Sequence, residues 1–432
     1  MVQLDVSVVN VAIKPIGAQL GGQIDGLQWV INAYTVAFAA LILSAGALGD
    51  RLGARRLFVG GFALFTAASA ACGLAPSLVV LNIARAVQGV GAAVLVPCSL
   101  TLLHHAYPEP AVRGRAVGLW AAGASVALSA GPLVGGLLTA SLGWRSIFFI
   151  NVPIGCIGIA LTWCYAQETP RCRGRGIDLP GQGLAMVALL ALAWATITAG
   201  QHGFTAPVCG GYALAAGAGA VFVGVESARS TPMLPLRLFR SATFSATTAI
   251  GLVVNIAFYG LLFVFSLYFQ TAHGFSALAT GAAFAPMTAA VLAGNLLAGH
   301  LSHRIGARRT MLAGATVMAA GLAGLLPIAA GSGYCQLVAQ LIVLGFGLGL
   351  LVPAMTAELL GSVEANRSGL ASGTLNTARQ TGSVIGVALF GALAAANLIT
   401  GLHRDLIIAV VAALVAATLT TVMDREPGRP RL

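Results

Sequence analysis

The chain is a succession of apolar runs, most of them long enough to cross a bilayer, joined by short polar stretches. A spanning helix needs about 20 mostly apolar residues. Such runs fall near 29–48, 57–75, 78–103, 116–140, 147–166, 180–200 and 208–227, and again near 244–270, 276–299, 310–330, 334–357, 368–396 and 405–423. A shorter one occupies 1–13, which makes fourteen. Helical spans satisfy their own backbone hydrogen bonds inside lipid, so the expected fold is an all-α polytopic membrane protein. Composition agrees. Of 432 residues 58% are hydrophobic and 8% charged, against about 25% charged in a soluble domain. A soluble enzyme, a disordered chain and a fibrous protein are excluded together.

The stretch 1–13 is too short to span. It is also no signal peptide, because it carries Asp5 and lacks a basic leader. It reads as the back half of a first helix whose front lies upstream, so the first of the fourteen spans is expected to be truncated.

The net charge is +11, from 23 Lys+Arg against 12 Asp+Glu. Nucleic-acid binding needs basic residues gathered on one wet face. Here they fall in twos and threes between spans, so nucleic acid is not an expected partner. Counted by loop, 18 basic residues lie on one side, beginning with Arg51, Arg55 and Arg56, and three lie on the other: Lys14, Arg145 and Arg404. The basic side is cytoplasmic by the positive-inside rule, which puts both termini in the cytoplasm and the chain in the cytoplasmic (inner) membrane. Arg85 and Arg379 fall within spans. The seven cysteines show no CxxC or paired framework and read as small core residues. His104 and His105 end a span without Cys or carboxylate beside them, so no metal site and no cofactor is expected.

The chain repeats itself. Gly46-Ala-Leu-Gly-Asp50-Arg51-Leu-Gly53-Ala-Arg55-Arg56 returns 253 residues later as Gly299-His-Leu-Ser-His303-Arg304-Ile-Gly306-Ala-Arg308-Arg309. Gly89-Val-Gly91 followed by Leu95-Val96-Pro97 returns 256 residues later as Gly345-Phe-Gly347 and Leu351-Val352-Pro353. Residues 1–166 and 241–432 therefore form two six-helix halves, and 167–240 is a linker with two extra helices, entered through Arg171–Gly176. Matched halves around a midplane site are the architecture of secondary transporters. The stretch from Gly46 to Arg56 reads as a cytoplasmic loop in which glycines allow close approach. There Asp50 can pair with Arg51, Arg55 and Arg56 to hold one conformation of the halves. A plain basic loop needs neither Asp50 nor the copy at 299–309.

Several motifs in order carry a family resemblance. They are GxLxDRxGxRR from Gly46 to Arg56, LxxxRxxQGxGAA from Leu81 to Ala93, and GPxxGG at Gly131, Pro132, Gly135 and Gly136. To these are added Leu4-Asp5-Val-Ser7-Val-Val9-Asn10 and the run from Trp144 to Gly155. Ala127 stands where a further glycine is usual, Ser7 where threonine is usual, and Lys14 where proline is usual. Over its whole length the chain resembles the fourteen-helix drug:proton antiporters of the major facilitator superfamily. That resemblance implies proton-coupled efflux of drugs or antibiotics by alternating access, with the proton as coupling ion and no enzymatic step. It also implies a role for Arg85 in coupling. The glycines of GPxxGG, with Pro132, are then the bendable span that keeps an antiporter from leaking. The protein is expected to act as a monomer. The alternatives are a dedicated exporter of one metabolite or antibiotic, a membrane-embedded enzyme, and a sensor. No clustered catalytic residues and no soluble output stretch favour the last two.

Acids are few. Asp25, Glu109, Glu168, Asp178, Glu226, Glu364, Asp405, Asp424 and Glu426 are placed in loops, tails or span ends. Asp5 alone falls deep in an apolar run, where the surroundings favour the protonated carboxyl, so it is the expected proton carrier. Glu358, at a span end, is second. One deep acid suits a neutral, zwitterionic or singly charged amphipath better than a dication. Asn10, Asn32, Tyr34, Asn255, Tyr259, Asn376 and Arg379 are candidates for the substrate cavity, as are Trp29, Gln270 and Gln380. Each interrupts an apolar face. Trp29 also suits the interfacial belt.

Overall fold

A computed structural model describes residues 1–107, 109–169, 178–229, 234, 236–329, 332–363 and 368–423. Every regular element among them is a helix. In chain order these are α1 (Val2–Leu20), α2 (Ile24–Leu52), α3 (Ala54–Gly73), α4 (Leu78–Ala106), α5 (Pro110–Leu142), α6 (Ser146–Phe149) and α7 (Asn151–Tyr165). Then come α8 (Leu179–His202), α9 (Ala206–Ala228), α10 (Ala242–Thr271), α11 (Ala277–Ile305), α12 (Ala307–Gly324), α13 (Tyr334–Gly361), α14 (Ser368–Ala396) and α15 (Leu398–Val422). The short α6 and α7 follow one another as one span. Twelve of the resulting spans are long and apolar enough to cross a membrane by themselves. The other two are α1, interrupted by Asp5, Ser7, Asn10 and Lys14, and α12, which opens on Arg308 and Arg309.

The duplication is visible in the backbone. Gly53 (φ +99°) separates α2 from α3, and Gly306 (φ +90°) separates α11 from α12. Gly21 (φ +68°) follows α1, and Gly274 (φ +66°) follows α10. Positive φ is open to glycine at little steric cost, so both halves turn at equivalent points. Packing repeats as well. Gly89 of α4 lies against the Tyr34 carbonyl of α2, and Gly345 of α13 against the Met287 carbonyl of α11. Gly91 meets Phe65 of α3, and Gly347 meets Met318 of α12. Small residues at such crossings let helices approach closely where lipid supplies no hydrophobic drive.

The halves meet along α2–α14, α5–α11 and α1–α10. The added α8 and α9 pack on one another, and α8 flanks both α2 and α14. There Gln182 Nε2 donates to the Ala40 carbonyl at 2.8 Å.

Several boundaries differ from the sequence reading. α1 continues through Lys14 and Pro15, so Lys14 is helical and its Nζ donates to the Gln270 carbonyl of α10. α15 starts seven residues early and takes in Arg404 and Asp405. The stretch 46–56 is no loop: α2 and α3 run up to Gly53 on either side. The Arg171–Gly176 run with Cys172, Glu364, Arg367 and the tail 424–432 lie outside the described residues.

Candidate functional site

The first candidate site is a buried polar cluster in the first half. Arg85 and Gln88 stand three residues apart on α4, hence on one face. α1 supplies Asp5, α3 supplies Ser69, and Asn151 opens α7. Arg85 Nη1 donates to Asp5 Oδ2 at 2.5 Å and to Gln88 Oε1 at 2.7 Å. Arg85 Nε donates to the Val30 carbonyl of α2 at 2.9 Å. Asp5 Oδ1 accepts from Gln88 Nε2 and from Asn151 Nδ2, each at 2.9 Å. Ser69 Oγ accepts from the same two amides, each at 3.0 Å, and donates to the Phe148 carbonyl at 3.0 Å. The Tyr34 ring lies 4.3 Å from the Arg85 guanidinium, and Phe148 lies 5.8 Å from it. Asp5 and Arg85 are 2% and 1% exposed.

Sequence reasoning therefore located Asp5 and Arg85 but misjudged their setting. Asp5 lies in an apolar run of sequence but not in apolar surroundings: three donors engage it, and Arg85 is its direct partner. Gln88, Ser69 and Asn151 were not picked out as site residues. Gln88 and Asn151 lie within the quoted motifs, but their pairing spans up to 146 residues and appears only in three dimensions.

The GPxxGG residues divide between two interfaces. Gly131 and Gly135 face α1, where a Cβ would collide with Ser7 and Val8. Gly136 and Pro132 face α11 across the halves. A Cβ on Gly136 would come within 2.7 Å of the Ala277 carbonyl, and one on Gly281 would strike the Pro132 carbonyl. One helix thus touches both the Asp5 helix and the opposite half.

At the Gly53 turn the acid in contact is Glu168, which follows α7. Its Oε1 accepts from Arg55 N at 3.1 Å, its Oε2 accepts from Arg56 N at 3.3 Å, and it lies 3.7 Å from Arg56 Nε. Thr169 Oγ1 accepts from Ala54 N at 2.9 Å. These acceptors satisfy the first amides of α3. Arg55 Nη2 donates to the Trp163 carbonyl at 2.6 Å, with its guanidinium over that ring. The copy behaves alike: Arg308 donates to the Thr420 and Thr421 carbonyls at 2.6 and 2.8 Å, and Glu358 acts on it electrostatically. The side chain of Asp50 lies outside the described residues. Gly46 is not tightly packed, since its added Cβ would meet only Pro97 at 3.6 Å. Arg51 is exposed.

The proposed cavity residues separate into two sets. Asn10, Asn255 and Asn376 spend amide hydrogens on carbonyls of their own helices, Val6, Gly251 and Ser372. Gln270 Nε2 donates to Ser266 and Val11. In these four the amide hydrogens are committed within the protein, although Asn10 Oδ1 is buried without a partner among the described residues. Asn32, Tyr34, Tyr259 and Arg379 are different. Both amide atoms of Asn32, the Tyr34 hydroxyl and Arg379 Nε are buried without a hydrogen-bond partner among the described residues. Tyr259 lies in electrostatic range of Arg379 and of Tyr34. Trp29 is half-buried against Val36 and Val384, and Gln380 is buried.

Two acids placed in loops by sequence are buried near the linker. Asp178 caps α8 through Gly181 N and pairs with Arg229 at 2.9 Å, and Glu226 Oε2 accepts from Leu234 N. A third, Asp405, is the most consequential correction. It is fully buried in α15, and neither carboxyl oxygen has a partner among the described residues. His104 and His105 are exposed at the end of α4, and His105 lines a cleft of about 660 Å³ between α3, α4 and α7 that touches none of the cluster residues.

The Major Facilitator Superfamily family model matches residues 1–387 and 248–431. The chain belongs to the major facilitator superfamily. Among relatives, it is 40% identical over 407 residues to the multidrug resistance protein Stp of Mycobacterium tuberculosis, spanning 94% of this chain and 76% of that protein. It is 37% identical over 392 residues to the methylenomycin A resistance protein of Streptomyces coelicolor, spanning 90% and 82%. Solved structures of the superfamily fold superpose well. The human organic anion transporter MFSD10 matches with TM-score 0.66 at 14% identity, over 96% of both chains. A bacterial homologue of the human lysosomal transporter Spinster, in an inward-facing and unoccupied conformation, gives 0.69 at 16%, over 98% and 94%. The chain is thus a multi-pass membrane protein with the superfamily's two six-helix halves and two inserted helices.

Proposed function

We propose that this protein exports drug- or antibiotic-like amphipathic molecules across the cytoplasmic membrane in exchange for protons. It works by alternating access, as a monomer with both termini in the cytoplasm, and catalyses no covalent chemistry. The observation that carries the reading is the Asp5–Arg85 pair. It is an ion pair sealed inside a membrane half and tied by Gln88 and Asn151 to helices α1, α4 and α7. Buried pairs are poor sources of stability compared with apolar packing, so such a pair is better explained by work than by folding. The relatives with resistance names point to the same activity.

The chemistry follows from the contacts. A proton delivered to Asp5 neutralises the carboxylate and removes the Coulomb attraction that holds Arg85. Arg85 also donates to α2 through Val30 and sits on the Tyr34 ring of α2. Its release therefore loosens α1 and α4 from α2, the helix that contacts α14 of the other half. Gly131 and Gly135 of α5 lie against α1 two to three residues beyond Asp5. The same event is thus felt at the α5–α11 crossing. Rocking of the halves about α2–α14 and α5–α11 moves the substrate from one side to the other.

The test is proton-driven uptake of a fluorescent drug into inverted membrane vesicles, with a susceptibility panel in an efflux-deficient host. Wild type is expected to raise resistance to at least one compound and to accumulate the dye when the vesicle interior is acid. Asp5→Asn is expected to do neither. Full resistance and proton-driven uptake with Asp5→Asn would overturn the assignment. Resistance to a single compound across the panel would favour a dedicated exporter.

A further inference from the structure

We propose that Arg379 anchors a carboxylate of the transported molecule. This rests on the efflux reading and specifies the chemistry of what is carried. Arg379 lies within α14, deep in the bundle yet still in contact with solvent-accessible space. It makes no hydrogen bond or ion pair with any described residue, and its Nε is buried without a partner. A charge inside a span costs roughly 2.5–3.5 kcal/mol on insertion scales and is normally paired. Arg85 illustrates the usual solution, with acceptors at Asp5, Gln88 and Val30 and aromatic rings beside it. Arg379 has nothing comparable. Its stem is fixed, because Gly251 of α10 leaves room for it and a Cβ there would stand 3.3 Å from Arg379 Cγ. Its head is left free.

The unpartnered polar groups on α14 and on α2, which packs against it, can all donate a hydrogen bond. One turn along α14, the Ser383 hydroxyl is buried and unpartnered. α2 crosses α14 with Gln28 on the Val387 and Ala388 carbonyls and with Val36 against Val384. Asn32 lies one turn from each of those α2 residues, with both amide atoms unused. The Tyr34 hydroxyl is unused as well, and the Tyr259 phenol acts on Arg379 from α10. This set holds a guanidinium, two phenols, an amide and a hydroxyl, and no carboxylate. Asp5 is committed to Arg85. A ligand completes the set by bringing acceptors, and an anion does so best, since guanidinium and carboxylate match as two parallel hydrogen bonds. A cationic drug would meet a like charge at Arg379, and a neutral one would leave it unpaired.

The experiment measures binding of three fluorescent aromatic carboxylic acids and their methyl esters to the purified full chain in detergent. Each acid is expected to bind about tenfold more tightly than its ester, a difference readily resolved in Kd. Arg379→Gln is expected to abolish the difference. Arg379→Lys keeps part of it, and Arg404→Gln, which removes an exposed charge on α15, leaves it intact. Esters that bind wild type as well as acids overturn the proposal, as does failure of every acid to bind. Equal weakening of acids and esters by Arg379→Gln, with its melting temperature unchanged, also overturns it. Should Arg379→Gln not fold, the wild-type ratio and the lysine variant decide: a ratio near one overturns, and a ratio kept by lysine supports. Acids that bind but are not driven into inverted vesicles by a proton gradient break the efflux reading and leave the anchor standing. Proton-driven uptake that is equal for esters and acids breaks the anchor and leaves efflux standing.

Discussion

The two halves share a backbone plan and differ in what they bury. The first half holds Asp5, Ser69, Arg85 and Gln88 in one hydrogen-bonded cluster. At the positions 253 to 256 residues further on, the second half has Phe258, Leu322, Leu341 and Leu344, all buried. The apolar version packs the same crossings, since Gly345 and Gly347 of α13 seat against α11 and α12 as Gly89 and Gly91 of α4 seat against α2 and α3. The fold is therefore satisfied by apolar side chains at these sites. Polar residues there are a cost that the architecture does not require, and the half that keeps them is the half assigned to proton coupling. The second half places ionisable side chains within its spans elsewhere, among them Arg379 facing α10 and Asp405 inside α15.

The largest expected effect comes from breaking the polar cluster. Arg85→Ala leaves Asp5 buried without its cation, at a cost of about 3–5 kcal/mol. It is expected to lower the melting temperature sharply and abolish proton-driven uptake, whereas Leu341→Ala at the matching site is expected to lower stability by about 2–5 kcal/mol through a cavity alone. Its folded fraction should still transport. If Leu341→Ala also abolished proton-driven uptake at normal abundance, the division between halves would fall.

Next in size is the contact between them. Gly136→Val places a side chain against the Ala277 and Leu278 backbone of α11. Overpacking costs about 1–3 kcal/mol, and uptake in vesicles is expected to be lost while the protein still purifies as a monodisperse species.

A smaller effect tests the Gly53 turn against its copy. Glu168→Ala removes the acceptor of the Arg55 and Arg56 amides, and loss of such a cap costs about 0.5–2 kcal/mol. A drop in melting temperature of this order is expected, with transport reduced but present.

The smallest effect is expected from Asp405→Asn. Its carboxyl has no partner among the described residues to lose, and an unsatisfied buried polar group costs about 1–3 kcal/mol. The neutral amide is expected to leave stability unchanged or raise it slightly, with uptake intact. Loss of uptake would show that the second half also carries protons, and the contrast between halves would become one of degree.

Much of this was legible in the sequence, for a physical reason. In a bilayer the spans must be apolar over about 20 residues, so each polar residue inside one stands out, and Asp5, Arg85 and Arg379 could be named from position alone. What they touch could not. Asn151 reaches Asp5 from 146 positions away, and Glu168 reaches Arg55 from 113. Asp405 was misplaced because His403, Arg404 and Asp405 together look like a loop. In the helix they point in different directions: His403 bonds to the Ile399 carbonyl, Arg404 is exposed and Asp405 is buried. The stretch from Gly46 to Arg56 looked like a loop for the same reason, although one glycine with positive φ is enough to turn the chain.

The α5–α11 crossing has a consequence for how such a protein can change over generations. Glycine meets peptide carbonyls there, Gly136 at Ala277 and Gly281 at Pro132. A joint made of backbone has no side-chain chemistry to trade, while Asn32, Tyr259 and Arg379 sit on other helices. Cargo preference can then drift by single substitutions in the lining without re-machining the bearing on which the halves turn.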